Sequence, residues 1–344
     1  QALIEKVQAA NVPGLSGTIE LTTHLGLPDL GSLAPSGSGL LTSLLSGSHS
    51  ARVWFAGPDK VRIAIPGDLS ETDIVRNGTD LWQWQSQGQT ASHLQLSPPS
   101  GQDSTPPEAT AEAPPTPAAL ADQLLASVDP TTRVFVRNTA TVAGRPAYEL
   151  VLAPKAADTL VADAVLTIDA GTGLPLKVQV LAKDATTPAL DLGFTSIDLS
   201  VPGDGAFQFS PPSGATVRQL QTPGELLTPA RNGRGGRGHD RAAMTSTPGA
   251  LSGTVDTSAP SAKSPSVVGE GWNAVAVIDG SGSAGIPGPL NALVRSAKAV
   301  SGTWGSGRLI HTTLFNVLVR DRDGKILVGS VTEARLQDVA ASQP

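Results

Sequence analysis

Alternation with a period of two, punctuated by turn residues, predicts a mainly β protein: one large antiparallel sheet, curled or closed, then a small α+β module. Three observations carry this. Roughly ten segments before residue 200 alternate apolar and polar side chains, as half-buried strands do. Glycine (37) and proline (28) together make 65 of 344 residues, well above the usual ~12% but too few for collagen or a wholly disordered chain. Only two clear helical patterns accompany these strands.

The elements run in order as follows. Residues 2–10 put Leu3, Ile4 and Val7 on one helical face, and Asn11-Val12-Pro13-Gly14 stops that helix. Segment 15–24 alternates, with Ile19 and Leu21 on one side. Segments 51–56 and 60–65 form a hairpin across Gly57-Pro58-Asp59, with Val53 and Phe55 in the first and Ile63 in the second. Segments 72–76 and 80–85 flank Asn77-Gly78, a strong hairpin signal, and 91–96 adds another strand. Between the first two strands lies a Leu-, Gly- and Ser-rich insertion, 25–50. Its Leu40, Leu41, Leu44 and Leu45 form one short apolar face, which either caps the end of the core or acts as a lid over an apolar opening.

Residues 97–118 hold seven prolines and read as a polar, extended insertion. A helix fits 119–128, with Leu120, Leu124, Leu125 and Val128 on one face. Strands resume at 132–138 (Val134, Val136), 146–153 (Leu150, Leu152), 163–169 (Ile168), 175–182 (Val178, Val180) and 189–199. Residues 222–267 read as a flexible linker whose arginines at 231, 234, 237 and 241 are solvated. The tail, 268–344, is predicted to hold a strand at 272–278, a helix at 289–300, a long strand at 308–320, a strand at 325–329 and a last helix. Ser330 and Glu333 have capping-box spacing for that helix.

Composition excludes several classes. The net charge of −6 argues against broad nucleic-acid binding. With no cysteine there are no disulfides, thiolate metal sites or thiol nucleophile. No run of 18 apolar residues marks a transmembrane helix. His24, His49, His93, His239 and His311 form no HxxxH or HExxH pair, and neither a GxSxG elbow nor a Walker loop occurs. The Asp169-Ala-Gly-Thr-Gly run reads as a hairpin turn rather than a cation loop. Neither a catalytic site nor a cofactor is expected. The informative feature is apolar: a single curved sheet with two short helices and a Leu-rich loop must either fill its own face or leave a hollow for a hydrocarbon chain. Each buried methylene of such a ligand contributes ~0.8 kcal/mol.

Five stretches carry a family resemblance. Residues 52–65 (RVWFAGPDKVRIAI) and 77–84 (NGTDLWQW), then 142–153 (VAGRPAYELVLA), 165–180 (VLTIDAGTGLPLKVQV) and 207–216 (FQFSPPSGAT), resemble in order the strand motifs of the LolA/RseB-like lipoprotein-carrier superfamily. The Pro-rich insertion and the Ala/Gly/Pro bias are similar to its actinobacterial members. The insertions at 25–50 and 97–118 are long for a minimal carrier.

The resemblance implies an incomplete antiparallel β-barrel with plugging helices over 1–221, a linker at 222–267 and a small α+β C-terminal domain at 268–344. It implies an extracytoplasmic protein, secreted or anchored through a segment upstream of Gln1. The partner it implies is a lipid or lipoprotein acyl chain, held for carriage or sensing. The alternative is an RseB-like regulator whose C-terminal domain grips a membrane anti-sigma or sensor protein. On this reading the acyl cavity is lined by Ile19, Leu21, Val53, Phe55, Ile63, Trp82, Val134, Val136, Leu150, Leu152, Ile168, Val178 and Val180, under a lid of Leu40, Leu41, Leu44 and Leu45. Trp82 and Trp84 share a strand face and either line the mouth or simply pack.

Overall fold

The computed structural model describes Leu3, Val7 and residues 10–27, 47–67, 69–96, 116–126, 128–222, 266–279 and 293–343. The insertion leucines 40, 41, 44 and 45, the Pro-rich stretch as far as residue 115 and the arginines of 231–241 lie outside the described residues.

The first sheet has twelve strands: β1 (Leu15–Thr23), β2 (Gly47–Phe55), β3 (Lys60–Pro66), β4 (Glu71–Asn77), β5 (Asp80–Gln85), β6 (Thr90–Gln95), β7 (Thr132–Val142), β8 (Arg145–Pro154), β9 (Val161–Asp169), β10 (Pro175–Ala182), β11 (Leu190–Asp198) and β12 (Thr216–Leu220). Their order is β12-β6-β5-β4-β3-β2-β1-β11-β10-β9-β8-β7. The chain thus makes two antiparallel meanders, joined where β1 pairs with both β2 and β11. Its two ends, β12 and β7, do not meet, so the sheet is open rather than closed. Strand β12 was not legible in the sequence. It is five residues long, mostly exposed, and pairs parallel with β6, so no alternation marks it.

Helix α1 (Pro117–Ala126) lies against β10 and β11. Thr116 starts it: its hydroxyl accepts the Ala119 amide at 3.2 Å, and Pro117 takes the first helical position, where no amide is needed. Leu3 and Val7 are also helical.

The second sheet comprises β13 (Ser266–Val268), β14 (Val275–Ile278), β15 (Lys298–Gly302), β16 (Gly305–His311), β17 (Asn316–Arg320) and β18 (Ile326–Gly329), ordered β13-β14-β18-β17-β16-β15. Helix α2 (Glu333–Ser342) packs on β17 and β18, burying Leu336, Val339 and Ala340 against Val275, Leu318 and Leu327. Arg320 is fully buried and donates to the carbonyls of Ala340 (3.0 Å) and Gln343 (3.1 Å), while Asp323 neutralises it. It therefore satisfies carbonyls that the end of α2 leaves open.

Four sequence expectations for the tail are corrected. The long strand at 308–320 is a hairpin: Thr312 breaks it by accepting the Phe315 amide and donating to the Phe315 carbonyl, a local side-chain bond that competes with the ladder. The helix expected over 289–300 is, among its described residues, one helical turn at 293–296 followed by β15, which the partner strand β16 recruits. Gly271–Asn273 is a 3-10 turn, and the strand starts only at Val275. Helix α2 is capped by Thr332, not Ser330.

Ser330 is used elsewhere. Its carbonyl accepts the Leu160 amide (2.9 Å) and the Thr159 hydroxyl (2.8 Å), and Thr332 donates its amide to the Asp158 carbonyl (2.8 Å). Thr159 and Val331 thus form a bridge between the β8–β9 connection and the second sheet. Trp272 completes this joint. Its indole donates to the Thr132 hydroxyl at 2.8 Å, and its ring packs against the cluster that contains Leu150, Leu152 and Ile168.

Candidate functional site

Directly paired residues of an antiparallel ladder point to the same side. Pairing Ile19 with Phe194, Leu21 with Leu192, Leu192 with Val178, Val178 with Leu166, Leu166 with Leu150, and Leu150 with Val136 carries one face from β1 to the β7 edge. In the other direction Gly17 faces Val53 and Val53 faces Ile63. With alternation along each strand, twelve of the thirteen expected lining residues share this face. They fall into two adjoining clusters, one around Ile19, Leu21, Val53 and Ile63, the other around Leu150, Leu152, Ile168 and Val178. Leu166, Leu192 and Phe194, beyond the thirteen expected residues, belong to the same face. The signal was present, since Leu190, Leu192 and Phe194 alternate.

Trp82 is the exception and is a correction. It pairs with Val75 and His93, in register with Arg62, one residue out of phase with Ile63 and Ile74, so it stands on the opposite face. There it stacks on His93 with ring centroids 4.1 Å apart and meets Phe209 at 5.4 Å. Both faces of β5 are covered, which is why apolar character alone did not tell them apart. The segment holding Phe207 and Phe209 is tied across this second face by Arg62. Arg62 donates to the Ala206 carbonyl (3.2 Å) and pairs in two places with the buried Asp73.

Helix α1 covers part of the first face through Leu120, Ala121, Leu124 and Leu125, with Leu3 and Val7 beside it. The β7–β8 end of that face is less covered. Val136 is 55% exposed and Tyr148 42%, whereas Leu150 and Leu152 are at most 2% exposed. An apolar strip therefore runs from buried strand centres to an open rim.

Ionisable groups serve the frame. Asp169 is buried; burial alone would raise its pKa, but the Arg145 guanidinium at 2.6 Å and the amide and hydroxyl of Thr172 overrule this and hold it at about 2. The DAGTG run is thus a turn closed by its own aspartate. His93 lies between Asp80 (2.7 Å) and Gln219 (3.1 Å), and His311 bonds Asn316. Among the described residues no group of three or more His, Cys, Asp or Glu is arranged to hold a metal ion.

A family model described as "Predicted periplasmic protein (DUF2092)" matches residues 41–220, just over half of the chain. The chain belongs to this family. By that description DUF2092 proteins work outside the cytoplasm. Among the described residues no helix is long and apolar enough to cross a membrane.

Solved structures similar to this DUF2092 chain include the MucA/MucB complex of Pseudomonas aeruginosa, at 14% identity and a TM-score of 0.44, covering 98% of this chain and 96% of that one. A LolA superfamily protein from Nitrosomonas europaea aligns at 12% identity and a TM-score of 0.26, covering 61% and 97%. A putative outer membrane lipoprotein-sorting protein domain from Vibrio parahaemolyticus aligns at 12% and 0.24, covering 60% and 95%. No curated protein matches the chain.

Proposed function

We propose that this chain binds the acyl chain of a lipid or lipoprotein on the helix-covered face of its twelve-stranded sheet, for carriage or sensing and without catalysis. One observation carries the reading: twelve apolar side chains on one face lead from a buried floor to the exposed Val136 and Tyr148. A hydrocarbon entering at that rim would bury methylenes at ~0.8 kcal/mol each. Leu40, Leu41, Leu44 and Leu45 are proposed as its lid, and residues 1–221 and 268–344 as the two units of the protein.

An apolar fluorescent dye titrated into the protein tests this. Saturable binding that a long-chain fatty acid displaces supports the proposal. A protein that leaves the dye dark, or holds it without displacement, overturns it.

A second reading is a regulator whose 268–344 unit grips a membrane anti-sigma or sensor protein. It is favoured by the joint, because Trp272 of the second unit packs on the same cluster as Leu150 and Leu152. Co-purification from membranes by the full chain, lost on deleting 268–344, is the expected result. An unchanged set of partners would remove this reading.

A further inference from the structure

A pocket of about 400 Å³ opens beside the β7–β8 turn, with its floor on the other face of the sheet. That volume is within the ~300–1,000 Å³ typical of small-molecule sites. Its floor is the run Glu20, Gly193 and Lys177, which pair across β1, β11 and β10 one residue out of phase with Ile19, Leu192 and Val178. Its roof is the tip of the β7–β8 hairpin, where Thr141, Val142 and Ala143 reach back over β11.

Three unusual backbone features meet here. Gly193 lets Lys177 lie flat on the floor, since a Cβ at 193 would stand 2.8 Å from Lys177 Cγ. The Lys177 ammonium then reaches Asp191 at 3.0 Å, and Gln179 donates to the same carboxylate oxygen at 2.8 Å. Beside it the β1–β11 register slips between Thr18 and Ile19, so Thr195 is the extra residue of a bulge, its hydroxyl donating to the Thr18 carbonyl. Bulges re-aim side chains and recur beside functional sites. In the roof Ala143 holds φ = +50°, a conformation that alanine rarely adopts.

The lining reads as a set of hydrogen-bonding groups around a small apolar wall. Glu20 and Asp191 accept, Lys177 donates, and the hydroxyls of Thr22, Thr141 and Thr195 do either. Val142 and Ala143 supply the apolar side. Two carboxylates against one ammonium disfavour an anionic ligand. Alternating acceptors and donors with an apolar wall match a ring that carries hydroxyls on its rim and C–H groups on its faces. We infer that this pocket binds a neutral saccharide.

Saturation-transfer NMR on the full chain tests this, with glucose, galactose, mannose, arabinose, N-acetylglucosamine and trehalose as probes and glucuronate and putrescine as charged controls. The expected result is transfer to at least one neutral sugar. Affinity should fall ~10-fold in Glu20→Ala, which removes a charged acceptor, and in Gly193→Ala, which lifts Lys177 off the floor. Glu20 is exposed, so that variant folds even if Gly193→Ala does not. No transfer to any neutral probe overturns the inference. So does binding that Glu20→Ala leaves unchanged, or stronger binding of glucuronate or putrescine. Dye binding on the other face reads the acyl proposal separately.

Discussion

Asp169 ends β9 with its carboxylate buried, and its charge is held by Arg145 and by the amides of Gly171 and Thr172. Its pKa of about 2 lies below the ordinary 3.8. The stability it adds is therefore complete above about pH 4 and is lost as pH falls towards 2, amounting to ~2 kcal/mol. Urea midpoints measured from pH 5 to pH 2 should fall more steeply in the native chain than in Asp169→Asn. At neutral pH that variant should lose about 3 kcal/mol, because Arg145 is left without its partner. Arg320 makes a parallel case. Arg320→Met strands Asp323 and two carbonyls at the end of α2, and should cost about 3 kcal/mol, read as a lowered unfolding midpoint. Neither pairing was legible in the sequence, since each joins residues that only the folded turn or hairpin brings together.

Among the elements, strand phase was the best-read property. Ile19 and Leu21, Leu150 and Leu152, and Val178 and Val180 each sit two apart on strands with one apolar face, and each landed on the common face. Trp82 failed because β5 is covered on both sides, by Leu94 and Leu220 below and Phe209 above. The β16–β17 break was not legible because the Thr312 hydroxyl makes the turn, and residues 311–316 hold neither glycine nor proline to mark it. The exposed rim on β7 and β8 gives a clean test of the acyl site. Val136→Lys with Tyr148→Lys should weaken dye binding at least ~10-fold by placing charge where a hydrocarbon must pass. The unfolding temperature should barely move, because both side chains already face water. The β7–β8 turn offers the converse. Ala143→Gly should stabilise the fold by ~0.5–1 kcal/mol, read by denaturant unfolding, because glycine takes a positive φ without strain.

At the scale of the molecule, two sheets are fastened where Thr159 meets Val331 and where Trp272 enters the cluster under helix α1. Nothing local in the sequence announces this joint; residues 158–160 and 271–273 read as loop and strand start. It places the second sheet at the foot of the proposed acyl site, so a ligand that repacks Leu150 and Leu152 also repacks Trp272. Trp272→Ala should loosen the joint, seen as faster hydrogen exchange at Leu160 and Thr332 without a change at the centre of β9.

The central claim is that the helix-covered face holds a hydrocarbon chain. Native mass spectrometry of the purified protein, followed by organic extraction, measures this directly. The account predicts an added mass that extraction identifies as an acyl-bearing amphiphile, and its loss when Val136 and Tyr148 are both lysine. A protein that runs at its bare mass, and stays there after incubation with phospholipid vesicles, contradicts it.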